Sequence, residues 1–336
     1  MARASGPHSD RYLNRLIVGS ILVLLVGIPL LTVVYMSDRW VDRGPTLAER
    51  RIQDLESAVR ASPNVISTRL QLAGAYTAAG RESDALTQLN EVIKVQPDSK
   101  TALLARGDMF HRQGNLDAAA KDYQAIADLV AGTEFAPEDT ELEAAFYGLG
   151  SIELDRSRPA DAVGFLVDAL QIDGANADTL YLLGRAYLDT GQSEKAVSSL
   201  RTAVAFVPTD WCEPYQALHD AYAKQANAPE AAWAAAMVAF CREQPDAAKR
   251  QLESLVSGPA ATDAFLGLGM IAESQSDAAA AASAYRQVLA RDPGSFNAEA
   301  GLSRVVGAAP SPSPPPGIPD VPSVAPSIAP AALSGG

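Results

Sequence analysis

Residues 181–187 read Tyr-Leu-Leu-Gly-Arg-Ala-Tyr, and Ala196, Leu200, Ala203 and Pro208 follow them. A small residue thus precedes an aromatic by one helical turn, and an alanine stands nine residues beyond it. The same arrangement recurs along the chain, with a period of 34 residues in its best stretches. A period of that length points to an α-helical solenoid, in which each repeat is a helix hairpin that buries one face against the next.

Aligned on their alanines, six copies start at Ile66, Lys100, Glu143, Ala177, Cys212 and Thr262. Position 8 holds Ala73, Gly107, Gly150, Gly184, His219 and Gly269, and position 20 is Ala85, Ala119, Ala162, Ala196, Ala231 and Ala281. These two positions stay small where the helices of a hairpin come closest. Larger residues at positions 4, 7, 11 and 24 fill the surrounding space. Pro97, Pro208 and Pro293 stop the second helix, because proline cannot donate to the preceding turn. Alanine, roughly a fifth of the chain, is the strongest helix former and lets helices approach closely.

Several positions break the pattern. Arg106 occupies a usually apolar position 7 in the second copy. Glu153 stands where copy 3 should have an aromatic, which puts the packing of that hairpin in question. His219 should push its helices apart or turn its imidazole outward. The segment Gly132 to Thr140 lengthens one link, and residues 246–258 read as a lone second helix or a decayed copy.

Ahead of the array, residues 16–36 predict a transmembrane helix. Leu16 to Tyr35 carry no charge over twenty residues, enough to rise about 30 Å. Tyr12, Tyr35 and Trp40 suit the headgroup layers. The run exceeds a typical leader core and lacks a small-x-small cleavage site, so it reads as an anchor rather than a cleaved leader. Residues 1–15 form a basic tail, expected to stay cytoplasmic, which places the solenoid outside the cytoplasm. Residues 47–61 should join the span to the array and cap it, and Phe296 to Val306 should cap its far end. The Pro/Ser/Ala-rich residues 307–336 cannot bury a core and are expected to be disordered.

Net charge is −13, although residues 1–60 carry +2, so the array is strongly acidic. That balance argues against nucleic acid as a partner. The three histidines, His8, His111 and His219, form no metal-ligand or nucleophile–base spacing. No catalytic residue, metal, cofactor or small-molecule substrate is therefore expected. The Gly148-x-Gly150 and Gly267-x-Gly269 pairs lie mid-helix at equivalent repeat positions, so packing accounts for them better than phosphate binding. Cys212 and Cys241 fall at positions 1 and 30 of one repeat. In an antiparallel hairpin those positions lie at one level, so the sulfurs could bridge or remain two partly buried thiols.

The joint register resembles the tetratricopeptide repeat over about residues 47–306. The resemblance implies an all-α fold, a right-handed solenoid of antiparallel helix hairpins, here preceded by one transmembrane helix. It also implies a protein or peptide partner, held on the concave face by positions 2, 5, 9 and 12 of the first helices. By register those positions include Leu70, Leu104, Asp108, Tyr147, Ser151, Tyr181, Arg185, Leu188, Asp220, Leu266, Met270 and Glu273. Lysine and asparagine, which grip a C-terminal carboxylate in some members, are missing from those positions. The function implied is a membrane-tethered, non-enzymatic scaffold or assembly factor. The alternative is an accessory, substrate-holding subunit of a membrane enzyme, cytochrome-maturation or secretion complex.

Overall fold

The computed structural model describes residues 45–307 together with residues 17–21, 23–32 and 35. The basic tail (1–15) and the Pro/Ser/Ala tail beyond residue 307 lie outside the described residues. Among those described, helices alternate with turns and no strand occurs. The chain divides into two compact units, residues 1–81 and 82–336.

In the first unit the described part of the apolar run is helical. Residues 16, 22, 33, 34 and 36 of the expected span lie outside the described residues. Among the described residues no helix is long and apolar enough to cross a membrane, so the span expected at 16–36 is not seen there. Helix α1 (Leu47–Ala61) begins with a capping box: the Glu49 amide donates to Thr46 Oγ1 (3.2 Å), and the Thr46 amide donates to the Glu49 carboxylate (2.7 Å). It packs on α2 (Ile66–Ala78), where Tyr76 Oη donates to Glu56 (2.8 Å).

The second unit opens with α3 (Glu82–Val95), and four regular hairpins follow in sequence. These are α4 (Lys100–Arg112) with α5 (Leu116–Val130), α6 (Thr140–Asp155) with α7 (Pro159–Ile172), α8 (Ala177–Asp189) with α9 (Ser193–Phe206), and α10 (Cys212–Lys224) with α11 (Ala228–Cys241). A nine-residue helix, α12 (Pro245–Glu253), interrupts the series. The last hairpin, α13 (Ala261–Ser274) with α14 (Ala278–Leu289), is covered by α15 (Phe296–Val306).

One backbone device makes the hairpin turns of the second unit. Position 15 has positive φ in all six copies, at Gly80, Gly114, Ser157, Gly191, Ala226 and Ser276. The next amide then donates to the carbonyl of position 11, as in Gln192 to Tyr187 (2.7 Å) and Asn227 to Tyr222 (2.9 Å). This satisfies a carbonyl at the end of the first helix while reversing the chain. A side chain in the left-handed region is strained, whereas glycine is not. Ser157→Gly, Ala226→Gly and Ser276→Gly should therefore each stabilise the fold by about 0.5–1 kcal/mol, read by urea denaturation. A loss of stability in all three would refute the strain argument.

Close packing also repeats. A Cβ added to Gly150 would sit 2.6 Å from Leu166 Cγ, and one added to Gly184 would sit 2.5 Å from Leu200 Cγ. The carbonyls of Ala162 and Ala196 lie 3.5 and 3.4 Å from the same points. Positions 8, 20 and 24 thus form one contact. Where position 24 is tyrosine, a second glycine faces it from the following helix: Tyr123 lies between Gly107 and Gly148, and Tyr285 between Gly269 and Gly301. The Gly-x-Gly pairs are packing features.

The departures from the pattern have local solutions. Glu153 is buried yet ion-paired with Arg156 and Arg158 (2.9 Å each), so the α6–α7 hairpin closes around Gly150 as α8–α9 does around Gly184. Copy 3 is not loosened. His219 neither splays its hairpin nor points to solvent; half-buried, it places Nδ1 3.0 Å from the Ala231 carbonyl at position 20. The long link contains a 3-10 turn (Ala136–Glu138) and is tied back to α4, because Lys100 bonds Asp139 and lies 3.1 Å from Glu141. Asp139 also accepts from the Leu142 amide (2.9 Å), which starts α6 at Thr140, three residues before the aligned start of the copy.

The irregular helix α12 buries Ala248 and Leu252 between α11 and α13. Around it Arg201 of α9 reaches past a whole hairpin to Asp263 of α13 (3.0 and 2.8 Å), and it donates to Tyr222 Oη (3.0 Å) on the way. Glu230 lies 3.8 Å from the same guanidinium, its carboxyl pushed up by burial and by the Asp263 charge.

Candidate functional site

The register-assigned residues fall into distinct surroundings. Leu70 is half-buried in the first unit. In the second, Leu104 packs at the edge of the core formed by Leu103, Tyr123 and Leu149, while Asp108 accepts from Tyr123 Oη (2.6 Å). Tyr147 and Ser151 are half-buried on α6, and burial raises the Tyr147 phenol above its ordinary value.

Four of the residues meet across α8 and α10. Tyr181, Arg185, Leu188 and Asp220, with Asp189, Glu213, Gln216 and Ala217, line a concavity of about 250 Å³. The Tyr181 ring meets Trp211 edge-on, with centroids 5.2 Å apart. The Arg185 guanidinium carbon lies 5.8 Å from the Tyr181 centroid. An aromatic wall therefore stands beside an exposed cation and four exposed polar or acidic side chains, Asp189, Glu213, Gln216 and Asp220. Leu188 contributes less surface, being only 8 % exposed, and its carbonyl accepts from Lys224 Nζ (3.1 Å).

Leu266 and Met270 line a second cavity of about 510 Å³ beside Arg201 and Asp263. Met270 and Glu273 also border a third, of about 720 Å³. Glu273 accepts from Tyr285 Oη (2.6 Å) and from Arg304 (2.6 and 3.0 Å), and the Arg304 bonds hold its carboxyl below the usual range. The twelve residues thus do not make one continuous patch; those of α8–α10 come together, and those of α13 serve two other cavities.

In the structure Cys212 and Cys241 are bonded through their sulfurs, with Cα atoms 5.6 Å apart. The bridge ties the start of α10 to the end of α11. His111 Nε2 lies 2.9 Å from exposed Asp155. Among the described residues no group of three or more His, Cys, Asp or Glu is placed to hold a metal ion. The register gave no warning of Trp211, which sits one residue before the aligned start of its copy. Its neighbour Tyr181 was assigned, and the indole completes that wall.

Family models described as tetratricopeptide repeat match residues 70–133, 153–218 and 234–296, more than half of the chain. The chain belongs to the tetratricopeptide repeat family. Proteins of that family mediate protein–protein interactions and bind protein or peptide partners. DnaJ homolog subfamily C member 3 of Mus musculus is 25 % identical to the chain over 161 residues, 45 % of this chain and 31 % of that protein. The chain therefore spans about a third of that relative's length. The solved part of MamA from Desulfovibrio magneticus RS-1, described as 41 to the end, is similar in structure at 20 % identity, with a TM-score of 0.46 over 55 % of this chain and 96 % of that one. YrrB, described as a tetratricopeptide repeat protein with an unusual peptide-binding site, gives 0.47 at 15 % identity over 59 % of this chain and 97 % of YrrB.

Proposed function

We propose that this chain is a membrane-tethered, non-enzymatic scaffold that holds a polypeptide against the first helices of its repeats, on the outer side of the cytoplasmic membrane. The observation that carries the reading is the α8–α10 concavity, where Tyr181 and Trp211 offer an apolar wall while Arg185, Glu213 and Asp220 offer polar anchors. Such a surface suits an extended or helical peptide with an apolar anchor residue. Support for the tether comes from the uncharged run 16–35, whose described large apolar side chains are exposed and find no protein core. The Cys212–Cys241 pairing supports an oxidising compartment. Anchoring would raise the effective concentration of the array towards other membrane proteins.

Site-specific photocrosslinking tests the reading in the full chain. Placed at residue 181, p-benzoylphenylalanine should give adducts with a discrete polypeptide in membranes that resist carbonate extraction. At Ser198, exposed on the second helix of the same hairpin, it should give none. Equal labelling from both positions would refute the groove, and extraction of the chain by carbonate would refute the tether.

A further inference from the structure

Outside position 15, two non-glycine residues among those described have positive φ: Asp210 (62°) and Glu243 (59°). Asp210 lies between repeats, and Glu243 makes the turn from α11 into α12, where the Gln244 amide donates to the Ala239 carbonyl (3.0 Å) as at position 15. Asp210 precedes α10 and Glu243 follows α11, so each stands two residues outside a cysteine of the bridge. With the two Cα atoms held 5.6 Å apart, the bridge brings both carboxylates to the rim of one cavity of about 720 Å³. That volume lies within the usual range for ligand sites, about 300–1,000 Å³.

The cavity wall is apolar and aromatic. Tyr215, Met237, Phe240, Met270 and Tyr285 line it, and Cys241 adds sulfur. The wall exists because α12 enters between the last two hairpins; Pro245 at its start is a lining residue, and the register of the array breaks there. The rim is electrostatically one-sided. Arg304, the cation among the lining residues, is committed to Glu273 at 2.6 and 3.0 Å. Asp210 and Glu243 are exposed, and among the described residues neither side chain has a hydrogen-bond or ion-pair partner. Two free carboxylates over an apolar floor complement a cation attached to an apolar body.

We propose that this cavity docks a polypeptide segment presenting a bulky apolar side chain next to a lysine or arginine. The apolar side chain would fill the space over Met237 and Met270, and the flanking cation would meet Asp210 and Glu243. The proposal rests on the reading of the array as a polypeptide binder, and it places a site apart from the α8–α10 concavity.

The probe is a fluorescent pentapeptide with phenylalanine flanked by two arginines, titrated by anisotropy against the full chain in detergent micelles. The comparison is the same peptide with flanking glutamates. The arginine peptide should bind several-fold, up to about tenfold, more tightly, since exposed charge contacts are individually weak. Asp210→Asn combined with Glu243→Gln should remove most of that preference, and these exposed, near-isosteric changes leave the core intact. Reduction with tris(2-carboxyethyl)phosphine should lower the preference as well, by releasing the two rim segments from each other. Equal affinity for the two peptides, or a preference untouched by the carboxylate changes or by reduction, would overturn the proposal. If crosslinks from residue 181 persist in that case, the α8–α10 reading survives and this one alone falls.

Discussion

Replacing Tyr123 with alanine should destabilise the second unit by about 3–5 kcal/mol, the cost of emptying a large aromatic site in a close-packed core. Tyr123 is 1 % exposed. Its ring fills the space left by Gly107 in its own hairpin and by Gly148 in the next, so one truncation removes packing within a repeat and between repeats. In a solenoid the second kind of contact carries cooperativity, because each repeat touches only its neighbours. Urea denaturation should therefore show a lower midpoint and a shallower transition. Amide exchange should rise first in α4 to α7. Tyr123→Phe isolates the smaller part, the bond from Oη to Asp108 (2.6 Å), and should cost about 1.5–3 kcal/mol. A compensated pair gives the sharper check. In copies 3 and 4 position 24 is leucine, and the residue at the register position of Gly148 in the next helix is Leu182 or Ala217 rather than glycine. Tyr123→Leu with Gly148→Leu should then cost less than the sum of the two single changes, since leucine at residue 148 meets the ring only while tyrosine is present. Strict additivity would mean that the ring and Gly148 are not coupled.

The same two glycines show why much of the fold could be read in the sequence. Helix packing demands a small residue at one fixed step, and glycine or alanine announces it at positions 8 and 20. The turns were only half legible. Gly80, Gly114 and Gly191 declare a left-handed residue at position 15, but Ser157, Ala226 and Ser276 adopt that backbone with no residue signal. The hairpin imposes the conformation and the side chain tolerates it. Two departures were legible as departures but not in their outcome. Glu153 and His219 each looked like a packing fault, and each meets a counterpart that the repeat alignment does not point to: the charges of Arg156 and Arg158 for one, the Ala231 carbonyl for the other.

The candidate site was less legible than the fold, for a geometric reason. Position rules assign concave residues one repeat at a time, and a cavity needs residues from several elements at once. Where the register is regular, Tyr181, Arg185, Leu188 and Asp220 do assemble. Where α12 intrudes, the register fails, and Met270 and Glu273 face a cavity whose other walls come from the ends of α10 and α11. The tie from Arg201 to Asp263 spans 62 residues, a separation that no 34-residue period foretells. A short irregular helix thus changes which side chains meet over the whole C-terminal part of the array.

Arg106→Leu supplies the second large effect, and its sign runs against the repeat pattern. Leucine is the residue at position 7 in copies 1, 3, 4, 5 and 6, so the change restores the common residue. It should nevertheless destabilise the second unit by about 3–5 kcal/mol, because it strands a buried carboxylate. Asp122 is 2 % exposed, and Arg106 grips it with two bonds, Nε to Oδ2 (2.8 Å) and Nη2 to Oδ1 (2.7 Å). A third bond runs from Nη1 to Asn90 Oδ1 (2.7 Å), holding the guanidinium in the plane that the fork requires. The pair itself need not be worth that much. Desolvating both ions offsets most of their attraction, so an apolar pair of matched volume can replace them at little cost. Adding Asp122→Ala to Arg106→Leu should therefore recover most of the loss, giving a double variant more stable than Arg106→Leu alone. Copies 5 and 6 already place alanine at this position, as Ala234 and Ala284. Equilibrium denaturation of the wild type, the two single variants and the double variant closes the cycle. A double variant no more stable than Arg106→Leu would mean that the energy lies in the ion pair itself, and not in the cost of leaving Asp122 alone.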